Sequence, residues 1–148
     1  MTAPFIMLVD DEAPFVETMS KRLSKRNIEN ISAFSGEECL ETLKKHQNLD
    51  VIILDVKMPG MDGIETLKNI KTASPMVEVI MLTGQATIES AINGMKLGAY
   101  DFLMKPCDIK DLVSKVEEAT KHKRDHEKKI EEAKKQETLA KYGPFYYA

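Results

Sequence analysis

Asp10, Asp11, Asp55, Thr83 and Lys105 are the side chains of this sequence best placed to do chemistry. Each follows an apolar run that reads as a strand: residues 5–9 precede the two aspartates, 51–54 precede Asp55, 77–82 precede Thr83, and 100–104 precede Lys105. If those strands are parallel, all five groups converge on one edge of a sheet, the edge where ligands bind in open α/β folds. Three crowded carboxylates repel one another. A hard divalent cation with oxygen ligands relieves that repulsion, and Mg²⁺ is the cytoplasmic choice. Lys105 and Thr83 add a cation and a hydroxyl donor, the groups that hold the equatorial oxygens of a phosphoryl group. The chemistry expected of the set is phosphoryl transfer to Asp55. Alone, Asp10 and Asp11 would equally suit a helix N-terminus favoured by the macrodipole; together with the other three groups they read as a site.

The elements that must position these residues alternate along the chain. A helix over 13–26 carries Phe15, Val16, Met19 and Leu23 at helical spacing, with Lys21, Arg22, Lys25 and Arg26 opposite. Residues 28–34 form a more polar strand, as a sheet edge requires. Ser35 or Gly36 caps a helix bearing Cys39, Leu40 and Leu43. After Asp55, Pro59, Gly60 and Gly63 force an irregular loop, since proline fixes φ and glycine admits positive φ. A short helix with Ile64, Leu67 and Ile70 stops before Ser74-Pro75. Another spans 87–97, with Ile88, Ala91, Ile92 and Met95 on one side and Gly98 at its C-cap. Asp108 caps a last helix whose inner face is Ile109, Leu112, Val113 and Val116. Five strand and helix alternations predict a parallel sheet covered on both faces, with right-handed crossovers.

The whole composition sets the bounds. A chain of 148 residues, 43% hydrophobic and 30% charged, suits one domain plus a short extension, here residues 1–120 and 121–148. A net charge of −3 speaks against direct nucleic-acid binding. No apolar run approaches the roughly 20 residues that cross a bilayer, so no membrane partner is expected. Cys39 and Cys107 form no Cys-x-x-Cys and follow no secretory leader, so a cytoplasmic location is expected and both read as packing residues. Past Ala119 the sequence turns to good helix formers of mixed charge, and residues 121–141 have no sheet left to cover. His122 and His126 lie one turn apart without a third ligand, and read as a solvated face. Ile130, Ala133 and Leu139, followed by Phe145, Tyr146 and Tyr147, offer a modest apolar surface. A homodimer through the extended helix is expected, a docking arm for another protein being the alternative.

Asp10-Asp11, the run from Leu54-Asp55 through Lys57-Met58-Pro59-Gly60 to Asp62-Gly63, Leu82-Thr83-Gly84 and Phe102-Leu103-Met104-Lys105-Pro106 stand in the order found in response regulator receiver domains. The chain resembles that family over residues 4–120. The resemblance implies a flavodoxin-like (βα)5 three-layer sandwich with a five-stranded parallel sheet in the order 2-1-3-4-5, here followed by an extended C-terminal helix. It implies that Asp55 is the phosphoacceptor, that Asp11, Asp55 and the Lys57 carbonyl ligate Mg²⁺, and that Asp10 acts through an intervening water. Thr83 and Lys105 match residues that contact the phosphoryl oxygens, and Phe102 matches a switch aromatic that moves as Thr83 does. Lys105-Pro106 is expected to be cis. A histidine kinase or phosphotransfer protein is the implied partner, and the face made by the fourth helix, fifth strand and fifth helix the implied output. The chain is then no enzyme beyond its own phosphoryl transfer and dephosphorylation.

Residues 83–106, with Thr87-Ile88-Glu89-Ser90-Ala91 and Gly98-Ala99-Tyr100-Asp101-Phe102, are most similar to receivers of enhancer-binding transcriptional activators. Such a receiver stands alone or belongs to a larger regulator. Two rivals compete. A Mg²⁺-dependent aspartyl-phosphate phosphatase needs a second acid two residues past its nucleophile, and Lys57 occupies that place. A receiver-like module that never takes phosphate would have little use for Asp55, Thr83 and Lys105 together.

Overall fold

A computed structural model of the chain describes residues 2–85 and 87–144. Strands β1 (Phe5–Val9), β2 (Glu29–Ala33), β3 (Val51–Leu54), β4 (Glu78–Thr83) and β5 (Asp101–Met104) form one parallel sheet in the order β2-β1-β3-β4-β5. Helices α1 (Ala13–Ser24), α2 (Gly36–Lys45), α3 (Gly63–Ala73), α4 (Ile88–Lys96) and α5 (Ile109–Tyr142) alternate with them. This is the flavodoxin-like order that the family resemblance implies. Alternation of side chains along the strands divides the core in two. Met7, Val9, Ile52, Leu54, Val79 and Met81 face the layer of α2 and α3, while Ile6, Leu8, Val51, Ile53, Ile80 and Leu82 face α1 and α5.

The strand ends are aligned by register. Val9 pairs with Ala33 and Leu54, Leu54 with Met81, and Thr83 with Met104. Residues that leave the strands at these points therefore meet at one edge. Local chemistry fixes the turns that follow. Ser35, the resolved alternative of the two candidate caps, accepts from the Glu38 amide; Asp62 accepts from Glu65, Thr87 from Ser90 and Asp108 from Lys110. Gly98 follows α4 with φ +103°, a conformation that favours glycine.

Two expectations need correcting, those on Gly63 and on α5, and what α4 faces, left open by the sequence, is now visible. Gly63 does not supply positive φ; it is the first residue of α3, and a Cβ there would lie 2.1 Å from the Asp55 carbonyl oxygen. Its job is close packing, whereas Gly60 (φ +74°) does take the left-handed turn. The apolar side of α4 is not packed: Ile88, Ile92 and Met95 are exposed, and only Gly94 of the helix is buried. The helix past Thr120 does meet the sheet. α5 is unbroken, and Lys123 is only 7% exposed. Its Nζ lies 3.2 Å from Oδ1 of buried Asp50, and Arg124 donates to both Asp50 oxygens and to the carbonyls of Thr2 and Ala3. The Phe5 amide also donates to Asp50, at 2.9 Å. One turn of the charged extension is thus clamped to the N-terminal edge of the sheet. His122, read as solvated, is 60% exposed at its side chain yet sits 3.0 Å from Glu78 and against the Tyr100 ring. The aromatic residues Phe145, Tyr146 and Tyr147 lie outside the described residues.

Candidate functional site

Asp10 and Asp55 leave their strands with the ladder still intact, the Asp10 amide donating to Ala33 and the Asp55 amide to Val9. Their carboxylates are therefore held by the sheet and not by a loop. Both are buried, Asp10 at 3% and Asp55 at 6% exposure, while Asp11 is exposed. One carboxylate oxygen from each of Asp10, Asp11 and Asp55 lies within 4.8 Å of the others, the only such group of possible metal ligands among the described residues. The loop after Asp55 is closed by the Gly63 amide donating to Val56 at 2.7 Å and by the Met61 amide donating to Glu37.

Lys105 reaches the cluster from the end of β5, across the cis Lys105-Pro106 bond. Its Nζ donates to Asp10 Oδ2 at 2.6 Å, and lies 3.5 Å from Glu12 and 3.8 Å from Asp55 Oδ2. The same nitrogen stands 4.0 Å from the centre of the Phe15 ring, a cation–π contact. Burial pushes the Lys105 ammonium down, but the Asp10, Asp55 and Glu12 carboxylates outweigh it and hold the group above the usual lysine range. Asp55 is raised as well, but by burial. Burial raises its carboxyl above the ordinary carboxylate value, and the Asp10 charge adds to the rise; the Thr83 hydroxyl, the Lys105 charge and the Lys57 backbone amide oppose it without prevailing. Asp55 Oδ1 is buried with no hydrogen-bond partner among the described residues. Three carboxylates gathered this closely, one of them with a buried unpartnered oxygen, are the donor set of a hard divalent cation, so the residues present fit Mg²⁺.

The other candidates divide. Thr83 is buried, and its hydroxyl accepts from the Gln85 amide at 3.2 Å. Lys57 is exposed and reaches Asp55 through its backbone. Phe102 is partly buried against the α2 and α3 core, and a Cβ on Gly94 of α4 would sit 3.7 Å from its ring. Cys39 is inert, its thiol pushed by burial up to about 12. Sequence reasoning missed Phe15 as a neighbour of Lys105, because it sits in a stretch whose spacing announces only a helix; Glu12 reads as one of the acids that end β1, without its contact to Lys105. It also missed Asp50, which looks like an ordinary turn residue ahead of β3.

The family model for the response regulator receiver domain matches residues 6–117. Among curated proteins, the DNA-binding transcriptional regulator NtrC of Escherichia coli strain K12 is 34% identical over 122 residues, covering 82% of this chain and 26% of that protein. The transcriptional regulatory protein ZraR of the same strain is 35% identical over 117 residues, 79% of this chain and 26% of that protein. This chain thus spans about a quarter of the length of these relatives. The crystal structure of adenylate cyclase from Rhodopirellula baltica superposes with a TM-score of 0.84 at 32% identity, covering 90% of this chain and 99% of that one.

Proposed function

The chain belongs to the response regulator receiver domain family, and from that membership we propose that Asp55 accepts a phosphoryl group from the phosphohistidine of a histidine kinase or phosphotransfer protein. The observation that carries the reading is the buried Asp55 carboxylate, whose Oδ1 has no partner while its Oδ2 lies 3.8 Å from Lys105 Nζ. In the proposed step an Asp55 oxygen attacks phosphorus as the P–N bond breaks; the electron pair stays on the donor imidazole nitrogen, which takes up a proton. Lys105, already fixed by Asp10 and Phe15, needs only a small displacement to meet the phosphoryl oxygens, and the Thr83 hydroxyl donates to another of them. Asp11, Asp55 and the Lys57 carbonyl would hold Mg²⁺, with Asp10 acting through a water, and the bound ion would supply positive charge against the transferring group.

Incubation with acetyl phosphate followed by intact-mass spectrometry tests the assignment. Wild type should gain one phosphoryl group, while Asp55→Asn should gain none. Omission of Mg²⁺, or Asp11→Ala, should slow the gain by about a hundredfold or more. Equal labelling of Asp55→Asn would overturn the proposal.

The signal then leaves through α4, β5 and α5, with Thr83 and Phe102 as the two-position element. The exposed Ile88, Ile92, Met95 and Met104 support this, since this surface is unusually apolar for solvent. Beryllofluoride should shift amide resonances between residues 83 and 116; changes confined to 13–43 would contradict the route. The chain works in the cytoplasm as a stand-alone receiver or as the receiver of a larger regulator, with residues 1–120 as the receiver and 121–148 as an extension through which two copies associate. No helix among the described residues is long and apolar enough to cross a membrane.

A further inference from the structure

Asp10 divides its two carboxylate oxygens between the start of α1 and the end of β5. Oδ1 accepts from the Glu12 amide at 2.9 Å, and Oδ2 accepts from Lys105 Nζ at 2.6 Å. The Val16 amide donates to the Glu12 carbonyl, and Pro14 stands in the first turn, so the start of α1 is fixed relative to Lys105. Phe15 lies in that first turn, with its ring centre 4.0 Å from Nζ. Resting on the phosphoryl transfer proposed above, we propose that Phe15 is a positioning residue for that reaction. Its ring face holds the Lys105 ammonium beside Asp55 and lets it pass from Asp10 to the phosphoryl oxygens without returning to water.

Three acids surround the resting ammonium and draw it in different directions. Asp10 and Asp55 are buried, whereas Glu12 lies 3.5 Å from Nζ with its side chain 66% exposed. A lysine that followed Glu12 would leave the site for solvent. Lys105 instead keeps only 15% of its side chain exposed. Burying an ammonium is costly unless other groups replace its water. Here the replacements are the carboxylates and the negative face of the Phe15 ring. Phe15 lines both the narrow space beside Asp10 and Asp55 and a cleft of about 160 Å³ that touches Lys105 and Pro106. It therefore stands at the boundary between the buried carboxylates and the outer surface.

The form of the attraction matters as much as its strength. A hydrogen bond holds its donor at one distance and direction, and must break before the donor moves. A ring quadrupole attracts a cation out to about 6 Å from the centroid, so from 4.0 Å the ammonium can shift by about 2 Å and stay in contact. Nζ lies 3.8 Å from Asp55 Oδ2 and has to close that gap by only about 1 Å to reach hydrogen-bond distance. The ring thus accompanies the whole displacement. An aliphatic side chain of similar bulk has no such face, and would leave Nζ to Glu12 and water.

Three full-length proteins test this: wild type, Phe15→Leu and Phe15→Tyr. Labelling by acetyl phosphate with Mg²⁺ is followed by intact-mass spectrometry, and the Lys105 ε-methylene protons are observed by NMR, where a ring face this close moves their resonance upfield. Phe15→Leu should lose the upfield shift and be labelled about tenfold more slowly, the scale of a partly desolvated cation–π contact, while Phe15→Tyr keeps both the shift and the rate. Phe15→Leu labelled as fast as wild type would overturn the proposal. Equal slowing of Phe15→Leu and Phe15→Tyr would also overturn it, because it would mark a steric role in place of the ring face. A wild type that is labelled but shows no upfield shift would overturn the role of Phe15 alone. A wild type that gains no phosphoryl group would overturn the transfer to Asp55 itself, and this proposal with it.

Discussion

Asp55 is held as a carboxylate in surroundings that favour its protonated form, and this has a measurable cost. A folded-state pKa above the ordinary value of about 3.9 means that ionising the group destabilises the fold. The penalty is present above the raised pKa and disappears once pH falls below the unfolded value, where the group is protonated in both states. In metal-free buffer, Asp55→Asn should therefore melt higher than wild type at pH 7, with the difference shrinking towards pH 4. Scanning calorimetry with a chelator present is the check, and a gap that widens on acidification would contradict the burial argument. The residues of this site were legible because each is chemically costly at the end of an apolar strand. Phe15 was not, since an aromatic residue at helical spacing looks the same whether it faces a core or an ammonium group 4.0 Å away.

Elements were legible where hydrophobic period and end signals agreed, as in β1 and β3, which match their apolar runs residue for residue. The period also identified α4 but could not say what its apolar side faces; only the short β5 and the exposure of Ile88 and Met95 reveal that the side is uncovered. The α5 extension was misjudged for a physical reason. Charged sequence predicts solvent, yet Asp50 offers a buried acceptor at the sheet edge, and Lys123 and Arg124 extend their stems to reach it. Burial alone would push the Asp50 carboxyl up, but Arg124, the Phe5 amide and Lys123 hold it below the usual carboxylate range. Its stabilisation is thus present at neutral pH and lost as pH falls through that depressed value. Asp50→Ala would leave the Lys123 ammonium buried without its acid, and should cost about 3–5 kcal/mol in urea denaturation. A loss under about 1 kcal/mol would mean that Glu127, 3.3 Å from Lys123, suffices as its partner.

For the molecule as a whole, the sheet has two working edges. The C-terminal edge gathers Asp10, Asp11, Asp55 and Lys105, and the N-terminal edge carries Asp50, Glu78 and the turn of α5 clamped to them. Two truncations distinguish this clamp from a passive extension. A chain ended at Thr120 keeps every strand but loses Lys123 and Arg124, and should melt well below one ended at Lys128, which retains them. Equal melting temperatures would show that the clamp contributes nothing to the fold. The sequence suggested a boundary at residue 120 because composition changes there, whereas the ion pairs that cross it depend on a contact between residues 73 or 74 positions apart. The clamp also bears on how such a module can be shuffled between genes. A recombination joint at the visible change of composition would separate Asp50 from its cations and hand the recipient a weakened domain. A joint one or two turns further on would transfer a complete unit, with the direction of its outgoing helix already set.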